Sequence, residues 1–218
     1  MKKISVFSIV TVLIMGLSLS SCLKSNDDAT SIEKEWEEWV KAVQSEILAS
    51  IGTYGGYMYY RSDEATATQE KMDSVAAEWI VRNDSTMDLL AVPTAVLVKQ
   101  LPERMQELKT AIAQKGSTNI RVNMIHNYRY HSPLEILVYP EPVKFDINYE
   151  NGTHEVEIRF YDSEKSESSR AQYLQYADAT LVNISLIRLF VQTVSLDGKV
   201  QYEPGSEAYL WWYGNKKY

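Results

Sequence analysis

Cysteine is almost absent: Cys22 is the only one among 218 residues. That excludes an intrachain disulfide and a thiolate zinc site, so stability has to come from packing. Histidine is nearly as scarce. His126, His131 and His154 are the whole supply, and no H-E-x-x-H or related ligand spacing occurs. In an extended strand His126 and His131, five residues apart, point to opposite faces and do not jointly hold a metal unless a bulge intervenes. No metal site and no cofactor is expected. The sequence also lacks G-x-S-x-G, a Walker loop and G-x-G-x-x-G. Carboxylate pairs such as Glu37 with Glu38, or Glu155 with Glu157, could flank a glycosidic bond, but on a helix surface or an outward strand face they read as solvated, and no enzyme is expected.

Basic residues are in deficit. Lys and Arg number 22 against 29 Asp and Glu, and without Lys2 and Lys3, which belong to the leader described next, the charge is about −9. Phosphate backbones repel such a surface, which removes nucleic acid from the expected partners. A long apolar run is missing too. The uncharged run from Ile4 to Leu19 is interrupted by Ser5, Ser8, Thr11 and Ser18 and falls short of the roughly 20 apolar residues of a spanning helix.

That stretch makes sense as an export signal. Lys2 and Lys3 form a positive start, the uncharged run follows, and Leu19-Ser20-Ser21-Cys22 closes it with a lipobox pattern. Residues 1–21 are therefore expected to be a lipoprotein signal peptide cut ahead of Cys22, whose thiol carries the lipid. Two or three acyl chains suffice for stable membrane attachment. Residues 22–30 read as lipidated cysteine and flexible polar tether, and residues 31–218 as a single β-rich globular domain. No Asp follows Cys22, which points to the outer membrane, on its periplasmic face or at the cell surface.

Aromatic residues are plentiful, with 15 Tyr and 5 Trp. The first large ones sit in the clearest helix, predicted over Ser31–Ser50. Thr30 and Glu33 fit a capping box, and Ile32, Trp36, Trp39, Val40, Val43 and Ile47 recur at three and four residues. Packing is the usual fate of such a stripe, with Trp36 and Trp39 as a candidate partner-docking pair. Tyr54 to Tyr60 carries large side chains on both faces, predicting a strand buried on both sides or lining a cavity. Ala76–Arg82 and Met87–Val92 form a hairpin about the turn at Asn83–Thr86. A helical turn is expected over Pro93–Gln100, then a helix starting at Pro102 and ending at Gly116.

From Ile120 to His131 apolar and polar residues alternate, predicting a half-buried strand. Val143, Phe145, Ile147 and Tyr149 alternate with polar residues and run into Asn151-Gly152, a strong hairpin signal. A loop of those two residues sets Tyr149 opposite His154 and Val143 opposite Phe160, every apolar residue meeting an apolar-face partner. It also sets Asp146 opposite Glu157 and Lys144 opposite Arg159, like charges that disfavour one another. Ala171–Ala177 reads as a helical turn, Leu181–Val194 as an apolar strand, Asp197-Gly198 as a tight turn returning along Lys199–Tyr202, and Ala208–Tyr213 as an aromatic strand.

The expected fold is mainly β: a curved antiparallel sheet or small barrel with an N-terminal helix and one or two interposed helices. A two-layer α+β domain is the rival. The lipobox, the opening helix, Gly52-Thr53-Tyr54-Gly55-Gly56-Tyr57, Glu78-Trp79-Ile80-Val81, Tyr139-Pro140, His154-Glu155-Val156 and Phe160 resemble Bacteroides-type lipoproteins of unknown function, among them families with calycin-like (lipocalin-like) barrels. The resemblance implies a gut-type Gram-negative host and a barrel-like domain, and brings no catalytic residue. The Ser25-Asn26-Asp27-Asp28 run loosely resembles the acidic tag of surface-exported members.

Two non-enzymatic expectations follow. The first is a binding module whose cavity or rim, lined by Tyr57, Tyr59, Tyr128, Tyr130, Trp211 or Trp212, takes a small apolar molecule or stacks on a sugar. The second is an envelope interaction protein docking a protein partner through Trp36 and Trp39 or an exposed strand edge. An unfilled cavity favours the first. A filled core with an exposed apolar patch favours the second.

Overall fold

A computed structural model describes residues 26–65, 69–131, 134–167, 169–174, 184–204 and 208–217, with the backbone alone at residues 26–32, 128–131 and 184. The leader and Cys22 lie outside the described residues. The chain divides into two compact units, Met1–Lys41 and Ala42–Tyr218.

Helix α1 runs over Asn26–Ser50. It starts ahead of the predicted Ser31, so Thr30 lies inside it and the capping box does not form its boundary. In the first unit Trp36 and Trp39 stack on each other with ring centroids 5.0 Å apart.

Among its described residues the second unit holds the last turns of α1 and eleven strands: β1 (Gly52–Arg61), β2 (Met72–Val81), β3 (Thr86–Pro93), β4 (Ser117–His131), β5 (Leu134–Pro140), β6 (Val143–Tyr149), β7 (Gly152–Phe160), β8 (Arg170–Leu174), β9 (Ile184–Leu196), β10 (Lys199–Tyr202) and β11 (Tyr209–Lys216). Between β3 and β4 lie α2 (Thr94–Leu97), a 3-10 turn (Glu103–Met105) and α3 (Gln106–Ala113). Neighbours run β1-β2-β3-β4-β5-β8-β9-β11, and β11 pairs back to β1. These eight antiparallel strands therefore close into a barrel. The mainly β reading holds, and the barrel is preferred to the two-layer rival because β11 leaves neither β1 nor β9 as an edge.

Alternation sorts the side chains. Tyr54, Met58, Trp79, Leu89, Ile120, Val122, Val138, Ile187, Leu189 and Trp212 are buried. Eight strands leave an interior just wide enough for side chains to fill, and here they fill it. Where Trp79 needs room, Gly214 supplies it. A Cβ on Gly214 would lie 2.7 Å from the Trp79 indole and 2.4 Å from the Gly55 carbonyl oxygen. The C-terminal end of α1 is tied to the barrel by two donors. The Tyr54 hydroxyl donates to the Ser50 carbonyl (2.6 Å) and the Lys216 ammonium to that of Ala49 (2.7 Å), serving carbonyls that a helix end leaves without a partner.

A second sheet grows from the barrel wall. The first half of β9 is a barrel stave; its second half pairs with β7 and β10, and β6 lies outside β7. Val143, Phe145, Ile147, Val156 and Ile158 are buried on this sheet, and Leu108 and Ile112 on α3, which contacts β6.

Three expectations are corrected. The hairpin loop is Glu150-Asn151, so Tyr149 pairs with Gly152, Ile147 with His154 and Val143 with Ile158. This register slips by two residues from the expected one, which keeps every apolar side chain on the same face. It also sets Lys144 opposite Glu157, joined at 2.7 Å, which relieves the conflict at Lys144, while Asp146 now faces Glu155 in place of Glu157. The left-handed residue is Glu150 (φ 51°), not Gly152. Arg170–Leu174 is a strand rather than a helical turn, because Ala171 and Tyr173 alternate inward while Arg170 and Gln172 do not. Residues 175–177 and 181–183 lie outside the described residues. The strand β5 forms where the sequence pattern predicts no element.

Candidate functional site

Among the described residues the barrel interior offers polar atoms but no ligand-sized space. Toward the end where α1 abuts, the Trp79 indole N–H donates to Ser185 Oγ (3.3 Å), and Tyr54 and Trp79 stack with centroids 5.6 Å apart. His126 is buried, and its Nε2 has no partner among the described residues. Burial penalises its imidazolium and pushes its pKa down to about 4. A register irregularity separates His126 from His131, whose side chain is outside the described set. Among the described residues no three His, Cys, Asp or Glu side chains cluster as metal ligands.

The outside of the barrel is different. Tyr57 and Tyr59 of β1 pair across the ladder with Tyr213 and Trp211 of β11, and all four point outward. Tyr57 is 53 % exposed, Tyr213 43 % and Trp211 37 %. Ring centroids of Tyr57 and Tyr59 are 6.3 Å apart, as are those of Tyr59 and Trp211, with the planes tilted by 50° and 55°. Arg188 of β9 lies over the Trp211 ring at 5.3 Å, a cation–π contact. The rim carries the Lys217–Glu78 ion pair. The exposed face exists because β1 and β11 alternate aromatic residues outward as well as inward. The expectation that Tyr54–Tyr60 is buried on both sides is thus corrected: Tyr54 and Met58 fill the barrel while Tyr57 faces out.

Tyr57, Tyr59 and Trp211 are therefore brought together. Trp212 is not one of them. It is fully buried in the barrel, because neighbouring strand residues face opposite ways. The side chains of Tyr128 and Tyr130 lie outside the described set, and Trp36 and Trp39 belong to the other unit. Tyr213 is the member that sequence reading missed. Its place two residues from Trp211 in a strand is the signal that identifies it.

On the second sheet, His154 Nδ1 lies 2.6 Å from an Asp197 carboxylate oxygen, and its ring meets Tyr149 edge-on at 6.1 Å. The pair contains a base and an orienting acid, but among the described residues neither is set against a nucleophile.

Residues 50–191 match the family described as Domain of unknown function (DUF4840). The chain belongs to the DUF4840 family. The match takes in the barrel from β1 into β9, so that in this DUF4840 chain Tyr57 and Tyr59 fall within it and Trp211 and Tyr213 beyond it. The antiparallel barrel is compatible with a calycin-like fold. No curated protein and no solved structure matches. No helix among the described residues is long and apolar enough to cross a membrane.

Proposed function

We propose that this chain is a lipid-anchored, non-catalytic protein of the bacterial outer membrane that docks an envelope protein on the outside of its barrel, through Tyr57, Tyr59, Trp211 and Tyr213. The observation that carries the reading is the contrast between a filled interior and an exposed aromatic row. Tyr, Trp and Arg are the residues that dominate binding energy at protein interfaces, and Arg188 over Trp211 adds the third to the first two. Among the described residues the barrel interior leaves no room for a small ligand. Stacking on a sugar calls for an open ring face, whereas these rings are tilted to one another and one face of Trp211 is covered by Arg188.

The anchor rests on Cys22 and its lipobox. Cys22→Ala is expected to move the protein from the membrane fraction to the soluble one; retention in the membrane would refute the anchor.

Docking is tested by placing a photo-crosslinking amino acid at 57 or 213 in host cells. Ile125, equally exposed on β4, serves as the control position. Both test positions should capture the same protein, Ile125 should not, and Trp211→Ala should abolish capture. Labelling of envelope polysaccharide instead, or equal capture from Ile125, would overturn the reading.

A further inference from the structure

The outer strand of the second sheet is open in a way that sheets rarely permit. β6 pairs with β7 alone among the described residues. With Tyr149 and Gly152 closing a two-residue turn, the ladder alternates so that Val143, Phe145, Ile147 and Tyr149 bond to β7, while the N–H and C=O groups of Lys144, Asp146 and Asn148 face away from it. Proteins blunt such an edge with prolines, bulges or free lysines. Within Val143–Tyr149 there is no proline and no register shift, and the one lysine, Lys144, is held by Glu157 at 2.7 Å and Glu155 at 3.7 Å.

Beside this edge lies a groove of about 350 Å³, with Glu107, Thr110 and Gln114 of the α3 side on one wall and Asn148, Tyr149 and Glu150 on the other. The helix runs antiparallel to the strand. Lys115, just past α3, reaches the Phe145 ring at 5.9 Å, while Glu107 near its start acts on Tyr149. Glu107 and Glu150 line the groove together with Tyr149, and burial, then these two carboxylates, hold the Tyr149 hydroxyl above its usual range. On the other face of the strand Asp146 pairs across the ladder with Glu155 and makes no ion pair among the described residues.

We infer that β6 is a docking edge for an extended, lysine- or arginine-bearing peptide of a partner protein, which adds as a strand beside β6 with one row of side chains in the α3 groove. Main-chain bonds to Lys144, Asp146 and Asn148 supply the affinity, and alternate side chains the selectivity. Acidic groups on both faces of the edge, Glu107 and Glu150 in the groove and Asp146 opposite, select for positive charge. They also select against a second copy, because an antiparallel pairing of two β6 strands about Asp146 sets that carboxylate against itself. The site is separate from the aromatic row and stands or falls independently of it.

The test is residue-resolved amide exchange on the exported chain with three synthetic heptapeptides: alternating Lys-Val, alternating Glu-Val, and the Lys-Val sequence with proline at every second position. The Lys-Val peptide should slow exchange at Lys144, Asp146 and Asn148 by tenfold or more, and the other two should not. Glu107→Gln with Glu150→Gln, both on the surface, should weaken the Lys-Val peptide at least tenfold while leaving β7 exchange unchanged. Three results would overturn the inference: no protection of these amides at millimolar peptide, equal protection by the Glu-Val peptide, or concentration-dependent protection without peptide, which would make the occupant a second copy.

Discussion

Asp197 binds β7 with both carboxylate oxygens, one lying 2.6 Å from Nδ1 of His154 and the other accepting the Glu155 N–H at 2.9 Å. It does so from a two-residue turn in which Asp197 (φ 48°) and Gly198 (φ 75°) are both left-handed. The tight turn that joins β9 to β10 thus also clamps a third strand.

The contact to His154, then that to the Glu155 N–H, holds the Asp197 carboxyl below the usual carboxylate range. A folded-state pKa below the unfolded one contributes stability above the unfolded value, about 3.9, which is lost as pH falls through the folded value. Asp197→Asn should therefore lower the melting temperature at pH 7, and that deficit should shrink as pH falls below the unfolded value of about 3.9. A deficit that persists at the lowest pH would mean that charge plays no part.

Glu150 takes a left-handed conformation that glycine adopts without penalty. Glu150→Gly should raise stability by about 0.5 kcal/mol, the relief of strain outweighing the greater freedom of the unfolded chain. Urea unfolding decides it. Asn151→Gly, at a residue without positive φ, should give no such gain.

Gly214 is hemmed in by the Gly55 carbonyl and the Trp79 ring. Gly214→Ala should cost about 2–3 kcal/mol through overpacking, and in a double-mutant cycle Trp79→Leu should recover part of the loss. Additive losses would show that the indole is not what the glycine accommodates.

His126 is neutral when folded at pH 5, with a pKa of about 4 against 6.5 when free. The unfolded chain binds a proton that the folded one does not, so stability falls as pH drops from about 6.5 to about 4, by up to about 3 kcal/mol. His126→Leu should remove that slope, measured as the difference from the unsubstituted chain between pH 7 and pH 5. Parallel pH curves would refute a buried neutral imidazole.

Much of this fold was readable because alternation and turn chemistry are local. The β9–β10 turn, the Asn83–Thr86 turn, where the Asn83 side chain accepts the Ser85 N–H, and the inward rows of β4 and β6 all follow from residues close in sequence. The β6–β7 register was not readable from the turn alone. Asn151-Gly152 fits one loop, but the pairing of Lys144 with Glu157 lies in the next, and both registers bury the same side chains. The aromatic face was half readable. Composition pointed to Tyr57, Tyr59 and Trp211, but which of Trp211 and Trp212 faces out depends on β11 pairing with β1 across more than a hundred residues, a non-local fact. β5 escaped because its alternation, Leu134, Ile136 and Val138 against Glu135, Leu137 and Tyr139, is apolar on nearly every residue.

Closure by β11 also sets an order of events. Its partners are β1 and β9, so the wall stays a curved strip with two bare edges until Tyr209–Lys216 is available to join them. Contacts that span so much sequence form slowly, and a chain released or cut before Tyr209 would present those edges to its neighbours. Folding that waits until the whole chain is free suits a barrel built this way.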